Sequence, residues 1–362
     1  MPTISLSTDD LLNTLKKFGV DIKIDELREK LPQIGVDLGK ADDKTIDVEV
    51  FPDRSDLLSL ETMAWALISF LRPITAPEPA KPIKGKWTLF VDPGLKKVRP
   101  VALAACVRGI SLGNNTKESS ETIQRLMAHQ EKLHTTLGRQ RRKVSIGVHD
   151  INAIKPPLKL VLANSNQTFI PLGFKDTWTI EKILNEHPKG VAYQHLIENR
   201  EKCPLLLDAK NQVLAMPPII NGMKTAINQN TTDVLIDVTG TDIVACSTAL
   251  HLITMQLQML GGKPEEVVVT EHDGKISKWP KNKRKVRNVS HSYLEKLIGQ
   301  TLTQNEVNEA FRATGHISKY SDGQYSVSIP YWRNDIIHEI DLVEEVATGF
   351  GFERIFTSLP SW

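Results

Sequence analysis

The sequence predicts a multidomain chain of mixed α/β and α+β character, with a central α/β domain between two small related α+β domains of winged-helix-like type. Three observations predict it. From about Trp87 to Pro264, short β-branched runs alternate with longer amphipathic stretches, the pattern of an α/β layer. A proline-rich segment from Pro73 to Pro82 separates that region from what precedes it. Arg54-Ser55-Asp56-Leu57-Leu58 is echoed by Arg333-Asn334-Asp335-Ile336-Ile337, each Arg-x-Asp following a strand ended by proline and opening a helix. The boundaries that follow are 1–85, 86–265, a linker hairpin at 266–284, 285–355, and a further connection starting at 356–362.

In chain order, helices are expected at Asp9 to Phe18 and Asp25 to Leu31, then a strand at Thr45 to Phe51 in which Ile46, Val48 and Val50 alternate with polar residues. Pro52-Asp53 stops it, and a helix beginning near Ser55 carries Leu57, Leu58, Leu60, Met63, Ala64, Leu67 and Ile68 on one side. In the middle region Val98 to Val107, Val144 to Val148, Leu205 to Leu207 and Val234 to Val238 read as buried strands. Ser120 to Leu137 and Asp242 to Leu260 read as helices, and Asp273-Gly274 turns a hairpin. Near the end, Ser292 to Glu295 and Thr303 to Glu306 fit the capping-box pattern. Asp322-Gly323 turns a second hairpin, and a last helix is expected from Asn334 to about Thr348.

The 362 residues carry a net charge of +2, with 40% hydrophobic and 24% charged residues, which excludes a disordered or membrane-inserted chain as the first reading. No stretch approaches the ~20 apolar residues of a spanning helix, and the start lacks the pattern of a secretory signal. Cys106, Cys203 and Cys246 are too widely spaced for zinc and read as buried small hydrophobes in a reducing, cytoplasmic setting. The basic runs Arg139 to Lys143 and Lys281 to Arg287 could meet phosphates or be solvated loops.

The most informative stretch is Leu214 to Asp242. Met216-Pro217-Pro218-Ile219-Ile220 fixes φ at two successive residues, and Asn221-Gly222 supplies a turn. After the strand, Thr239-Gly240-Thr241-Asp242 caps a long helix, bringing hydroxyls, a carboxylate and helix N–H groups to one place. A capped crossover and a ligand site both fit that pattern.

MPPIING followed by DVTGTD resembles the β subunit of phenylalanyl-tRNA synthetase in its archaeal and eukaryotic-type form. PDRSDLLSLE from Pro52, QEKLH from Gln130, SIGVHD from Ser145 and RNDIIHEIDLVEEVATGFGF from Arg333 resemble segments of the same family, in the same order. The resemblance implies the N-terminal part of a β subunit, without the catalytic-like module that follows it in the family. It implies that 86–265 is an aminoacyl-tRNA editing domain that hydrolyses tyrosine wrongly attached to tRNA(Phe). Leu206, Ala215, Asp237 and Thr239 match family pocket positions, with Asp237 reading a polar group of the aminoacyl end. Ala215 departs from the family, where serine is usual. No Ser-His-Asp or Cys-His set is visible, so a positioned water would serve; His134, His149 and Asp150 are candidates for the rim of the pocket.

Asp335, Asp341, Glu344 and Glu345 form an acidic group expected on the last helix. On spacing alone it is a solvated face or a site for a hard cation. The resemblance implies magnesium shared with an α subunit, with ATP used by the whole complex and not bound by this chain. No phosphate-binding glycine loop, dinucleotide fingerprint or HEXXH is present. The implied partners are the α subunit and tRNA(Phe), with no membrane. The alternatives are a free-standing deacylase acting in trans and a nucleic-acid-binding winged-helix protein without enzymatic activity.

Overall fold

In a computed structural model, which describes residues 2–72 and 77–356, the chain divides into two units, 79–282 and the joined segments 1–78 with 283–362. The two small domains expected at either end of the sequence thus belong to one unit. Part of the proline-rich linker, 73–76, and the final connection from 357 onward lie outside the described residues.

The joined unit begins with β1 (Thr3–Ser7), α1 (Thr8–Lys17), α2 (Ile24–Lys30), β2 (Val36–Ala41), β3 (Thr45–Val50) and α3 (Leu60–Leu71). Its sheet has the order β1-β3-β2, antiparallel throughout. The alternation in β3 sends Ile46, Val48 and Val50 inward, as the period of two requires. Ser7 accepts from the Asp10 N–H and Ser59 from the Thr62 N–H, so α1 and α3 each start at a hydroxyl cap.

The second unit holds β4 (Ile83–Val91), β5 (Val101–Arg108), α4 (Thr116–Thr135), β6 (Val144–Asp150), β7 (Leu158–Asn164), β8 (Thr168–Phe169), β9 (Trp178–Thr179), α5 (Ile180–Glu186), α6 (Pro188–Tyr193), β10 (Lys202–Leu207), β11 (Val213–Met216), β12 (Ile220–Asn221), β13 (Asp233–Gly240), α7 (Ile243–Met259), β14 (Lys263–Thr270) and β15 (Ile276–Trp279). Its main sheet runs β12-β11-β10-β7-β4-β14-β5-β13-β6, with β15 paired to β14. The hairpin read as a linker is therefore part of this sheet: β14 lies between β4 and β5, with Val267 and Val269 fully buried. Its charged residues Glu265 and Glu266 hide an interior strand in the sequence.

Helix α7 packs on β5, β13 and β6, and α4 packs on α7 and β6. On β13 every residue from Val234 to Gly240 is buried, including Asp237 and Thr239. The cysteines are free and buried, and burial pushes the thiols of Cys203 and Cys246 up to about 11 and about 12, so they behave as apolar fillers.

The joined unit resumes with β16 (Lys285–Ser290), α8 (His291–Ile298), α9 (Gln304–Ala313), β17 (Ile317–Ser321), β18 (Gln324–Ile329) and α10 (Glu339–Phe350). Tyr325, Val327 and Ile329 point from β18 into a core shared with Leu294, Val307, Phe311 and Val346. Thr303 and Glu306 make the expected capping box, whereas α8 is capped by Ser290, two residues before the expected Ser292. Helix α10 starts at Glu339 instead of Asn334, and Ile337 and Ile340 are exposed.

The two Arg-x-Asp segments meet in this unit. Arg54 donates to both oxygens of Asp56 at 2.9 Å, and Arg333 donates to both oxygens of Asp335. Trp65 and Trp332 stack edge to face at 6.1 Å beside them. The echo in the sequence is thus a pair of buried ion pairs, a structural role for Arg54 and Asp56.

Candidate functional site

A cavity of about 80 Å³ opens where α4, β6, β11 and β13 come together. One water needs ~10–15 Å³, so the space is several waters large and too polar to be a packing gap. Its floor is set by register: Asp237 on β13 sits opposite Gly147 on β6, and both face the cavity. A Cβ at Gly147 would overlap the Asp237 carboxylate and the His149 ring, so glycine leaves the space that the acid occupies.

His149 lies two residues on, on the same face of β6, and is wholly buried. Its Nε2 lies 2.8 Å from Asp237 Oδ1 and its Nδ1 2.7 Å from the Thr225 hydroxyl. Thr225 is also wholly buried, so this hydroxyl–imidazole–carboxylate series has its cavity end at Asp237 and no accessible nucleophile at the other.

One turn of α4 supplies Gln130, Glu131 and His134. The His134 Nε2 accepts the Ile146 N–H at 2.8 Å, which leaves the proton on Nδ1, facing Glu131 Oε2 at 3.3 Å. Burial pushes His134 down to about 4, so the ring is neutral. The hydrogen bond from His134 and the nearby Arg141 charge hold Glu131 down at about 2.

Arg141 is reached by an unusual backbone. Arg139, Gln140 and Arg141 all have positive φ, at 46°, 53° and 66°. Three successive left-handed residues cost about 1–2 kcal/mol each, and the turn persists because Arg141 is held at its end. Its guanidinium donates to Glu131 Oε2 at 2.7 Å and to the Ile219 carbonyl at 2.8 Å, and stacks on Tyr193 at 4.6 Å. At the cavity, the buried Gln130 Oε1 and Arg141 Nε have no hydrogen-bond partner among the described residues. Lys189 also borders the cavity, and burial and Arg141 lower its pKa.

The proline turn joins β11 to β12, pairing Ala215 with Asn221 and Met216 with Ile220. Gly222 has an ordinary φ of −79°, so glycine is used here for space: a Cβ would crowd the Val213 carbonyl. The helix N-terminus after Thr239 is not a free anion site either. Asp242 accepts from the Val244 and Ala245 N–H groups and pairs with Lys143 at 2.7 Å.

The comparisons with known proteins bear on this geometry. A B3/4 domain model matches residues 104–258, and a tRNA synthetase B5 domain model matches residues 287–352. The phenylalanine–tRNA ligase β subunit of Methanococcoides burtonii is 39% identical over 99% of this chain and 65% of its own length. That of Archaeoglobus fulgidus is 35% identical over 99% of this chain and 63% of its length. The chain thus spans just under two thirds of these relatives. The crystal structure of an N-terminal fragment of the phenylalanyl-tRNA synthetase β subunit from Pyrococcus horikoshii is similar with a TM-score of 0.87 and 31% identity, covering 96% of this chain and 99% of the fragment. The chain belongs to the phenylalanine–tRNA ligase β-subunit family.

Within this β-subunit-family chain, two of the four residues singled out for the pocket, Ala215 and Asp237, line the cavity. Leu206 is buried opposite Ala215 in the β10–β11 ladder. Thr239 is held from behind: its hydroxyl accepts from Arg99 Nε at 2.9 Å and its carbonyl from Arg99 Nη2 at 2.8 Å. Arg99 is buried, and burial lowers it to about 10. Of the rim candidates, His134 borders the cavity and His149 supports Asp237, while Asp150 is occupied by Thr231 and the Asn152 N–H. Gln130, Glu131, Arg141 and Asn221 were not singled out as pocket residues; the i, i+1, i+4 spacing of Gln130, Glu131 and His134 on one helix was the available signal.

The acidic group is arranged differently from the helix face expected. Asp335 precedes α10 and, with Glu345, is held by Arg333, whose Nη1 and Nη2 donate to the two Glu345 oxygens. Arg333 and His316 hold Glu345 down at about 2 against its burial. Asp341 Oδ2 accepts the Ile337 and His338 N–H groups at 2.6 and 2.7 Å. Glu344 alone is uncommitted, with its pKa raised by burial and by Glu345. No group of three or more His, Cys, Asp or Glu side chains suited to a metal occurs among the described residues. These four carboxylates do not by themselves fit a magnesium ion, since a cation would have to displace Arg333.

The basic run after Lys281 is engaged too. Arg284 pairs with Glu78, Lys285 Nζ donates to Asn334 Oδ1, and Arg287 Nε donates to the Ile336 carbonyl. No helix among the described residues is long and apolar enough to cross a membrane.

Proposed function

We propose that this chain is the β-subunit portion of a phenylalanine–tRNA ligase that hydrolyses Tyr-tRNA(Phe) in the cavity at Asp237, and that it contributes to charging of tRNA(Phe) in complex with an α subunit. The observation that carries the editing reading is the open carboxylate: Asp237 borders the cavity, its Oδ1 is taken by His149, and Oδ2 has no hydrogen-bond partner among the described residues. A tyrosyl hydroxyl can donate to Oδ2. A phenylalanyl ring in the same position would leave that oxygen desolvated and unpaired, a difference of about 1–3 kcal/mol.

The ester carbonyl would lie toward Arg141 Nε and the Asn221 amide, donors able to stabilise developing negative charge. Gln130 Oε1 and Glu131 can orient a water or an amino group. Ala215 contributes no hydroxyl to this wall, so the reading relies on Asp237 for the polar contact. ATP in this reading belongs to the complex, magnesium would need ligands from the α subunit, and the location is the cytoplasm.

The test is to incubate the chain with Tyr-tRNA(Phe) and, separately, Phe-tRNA(Phe) and to follow release of the amino acid. Faster release of tyrosine than in buffer, with phenylalanine largely retained, is the expected result. Loss of tyrosine at the buffer rate would contradict the proposal.

A further inference from the structure

We propose that His149 is a positioning residue for this cavity, fixing Asp237 so that Oδ2 is its ligand-facing atom, with Thr225 locking the ring from behind. The inference rests on the editing reading of the cavity and goes beyond it by assigning a role to residues that no ligand can touch.

The geometry gives each atom one task. An ionised Asp237 can only accept, so His149 Nε2 carries the proton that bridges the 2.8 Å to Oδ1. Nδ1 then faces the Thr225 hydroxyl at 2.7 Å, which donates to a neutral ring or accepts from a charged one. Both arrangements hold the imidazole in one orientation. The terminal torsion of an aspartate is broad, so a carboxylate on an open wall samples many angles unless a fixed donor selects one. His149 is that donor, and the missing side chain at Gly147 leaves room for the carboxylate and the ring to meet.

Burial separates this role from catalysis. His149 and Thr225 have no exposed surface, and neither borders the cavity, so neither can act on a bound ester. On the face of β6 shared with Ser145 and Gly147, position 149 carries a ring whose two nitrogens serve Asp237 and Thr225. A rigid acceptor discriminates a hydroxyl from a hydrogen better than a mobile one, because the ordering cost is met before the ligand arrives.

The experiment compares His149→Leu and His149→Gln in the parent chain and in an Asp237→Ala background, reading the ratio of Tyr-tRNA(Phe) to Phe-tRNA(Phe) deacylation. Glutamine can place an amide N–H near the position of Nε2, and leucine cannot. His149→Leu is expected to lower the ratio about tenfold, His149→Gln to stay within about threefold of the parent, and His149→Leu to add less than about twofold once Asp237 is absent. Additive losses in the two backgrounds, equal losses for leucine and glutamine, or a parent-like leucine variant would overturn the role. Should His149→Leu fail to fold by circular dichroism, Thr225→Val replaces it, with a smaller loss that must likewise vanish in the Asp237→Ala background. A parent chain that does not release tyrosine defeats the editing reading itself, a result distinct from an active parent indifferent to position 149.

Discussion

Replacing Arg333 with methionine tests whether the carboxylates near α10 belong to the protein's own ion pairs. The arginine is 3% exposed and satisfies two carboxylates, Asp335 at 2.6 to 3.0 Å and Glu345 through both of its terminal nitrogens. Methionine keeps much of the stem packing and removes every one of these donors. Breaking a buried pair by deleting one partner costs about 3–5 kcal/mol, and two stranded carboxylates place the loss toward the upper end. At about 2–4 °C per kcal/mol for a unit of this size, the joined unit should melt roughly 10 °C lower or more. Arg54→Met strands only Asp56 and releases the Ile34 carbonyl, so its loss should be smaller. The assay is thermal and urea unfolding followed by tryptophan fluorescence, Trp65 and Trp332 lying in contact beside the two pairs. Magnesium should not restore the Arg333→Met variant, because Asp341 remains turned toward its backbone donors. An unchanged midpoint, or full rescue by magnesium, would refute the view that Arg333 is the cation these acids are built around.

Further outcomes follow from the same geometry. Gly147→Ala should lose about 1–3 kcal/mol by overpacking and should lower tyrosine release from Tyr-tRNA(Phe), since the new methyl meets the Asp237 carboxylate; equal activity and stability would contradict the packing argument. Ala215→Ser adds a hydroxyl to the cavity wall opposite Asn221 and should leave tyrosine release equal or faster, measured by the same deacylation assay. His134 and His251 are each pushed from 6.5 down to about 4 by burial, so the unfolded chain takes up their protons first. Their contribution is complete above about pH 6.5 and is lost as pH falls toward 4, by about 3 kcal/mol for each at most, which urea midpoints measured across that range will show.

Much of the architecture is legible in the sequence because it is local. The proline turn, the apolar run of β13, the carboxylate cap at Asp242 and the Asp322-Gly323 hairpin are each decided within a few residues. The helix start expected at Asn334 rests on the helical spacing of Ile336, Ile337 and Ile340, while the Arg333 network and the Asp341 cap hold 333–338 in another conformation. The interior strand β14 is hidden in the sequence because its charged residues sit at one end of an otherwise buried alternation. At the site, Asp237 was found from its motif, but its support was not. His149 is 88 residues away and becomes a partner only through the β6–β13 register. Arg141 lay in a basic run whose composition suggests a solvated loop, and only the left-handed turn reveals that it is turned inward.

The most direct test of the account is the rate of tyrosine release from Tyr-tRNA(Phe), relative to phenylalanine release from Phe-tRNA(Phe), for the parent chain and for Asp237→Ala. Removing a buried acceptor from a hydroxyl costs about 1–3 kcal/mol, so the parent should favour tyrosine and the variant should lose about tenfold or more of that preference. The contradicting result is an Asp237→Ala chain that folds as the parent does and discriminates tyrosine from phenylalanine equally well.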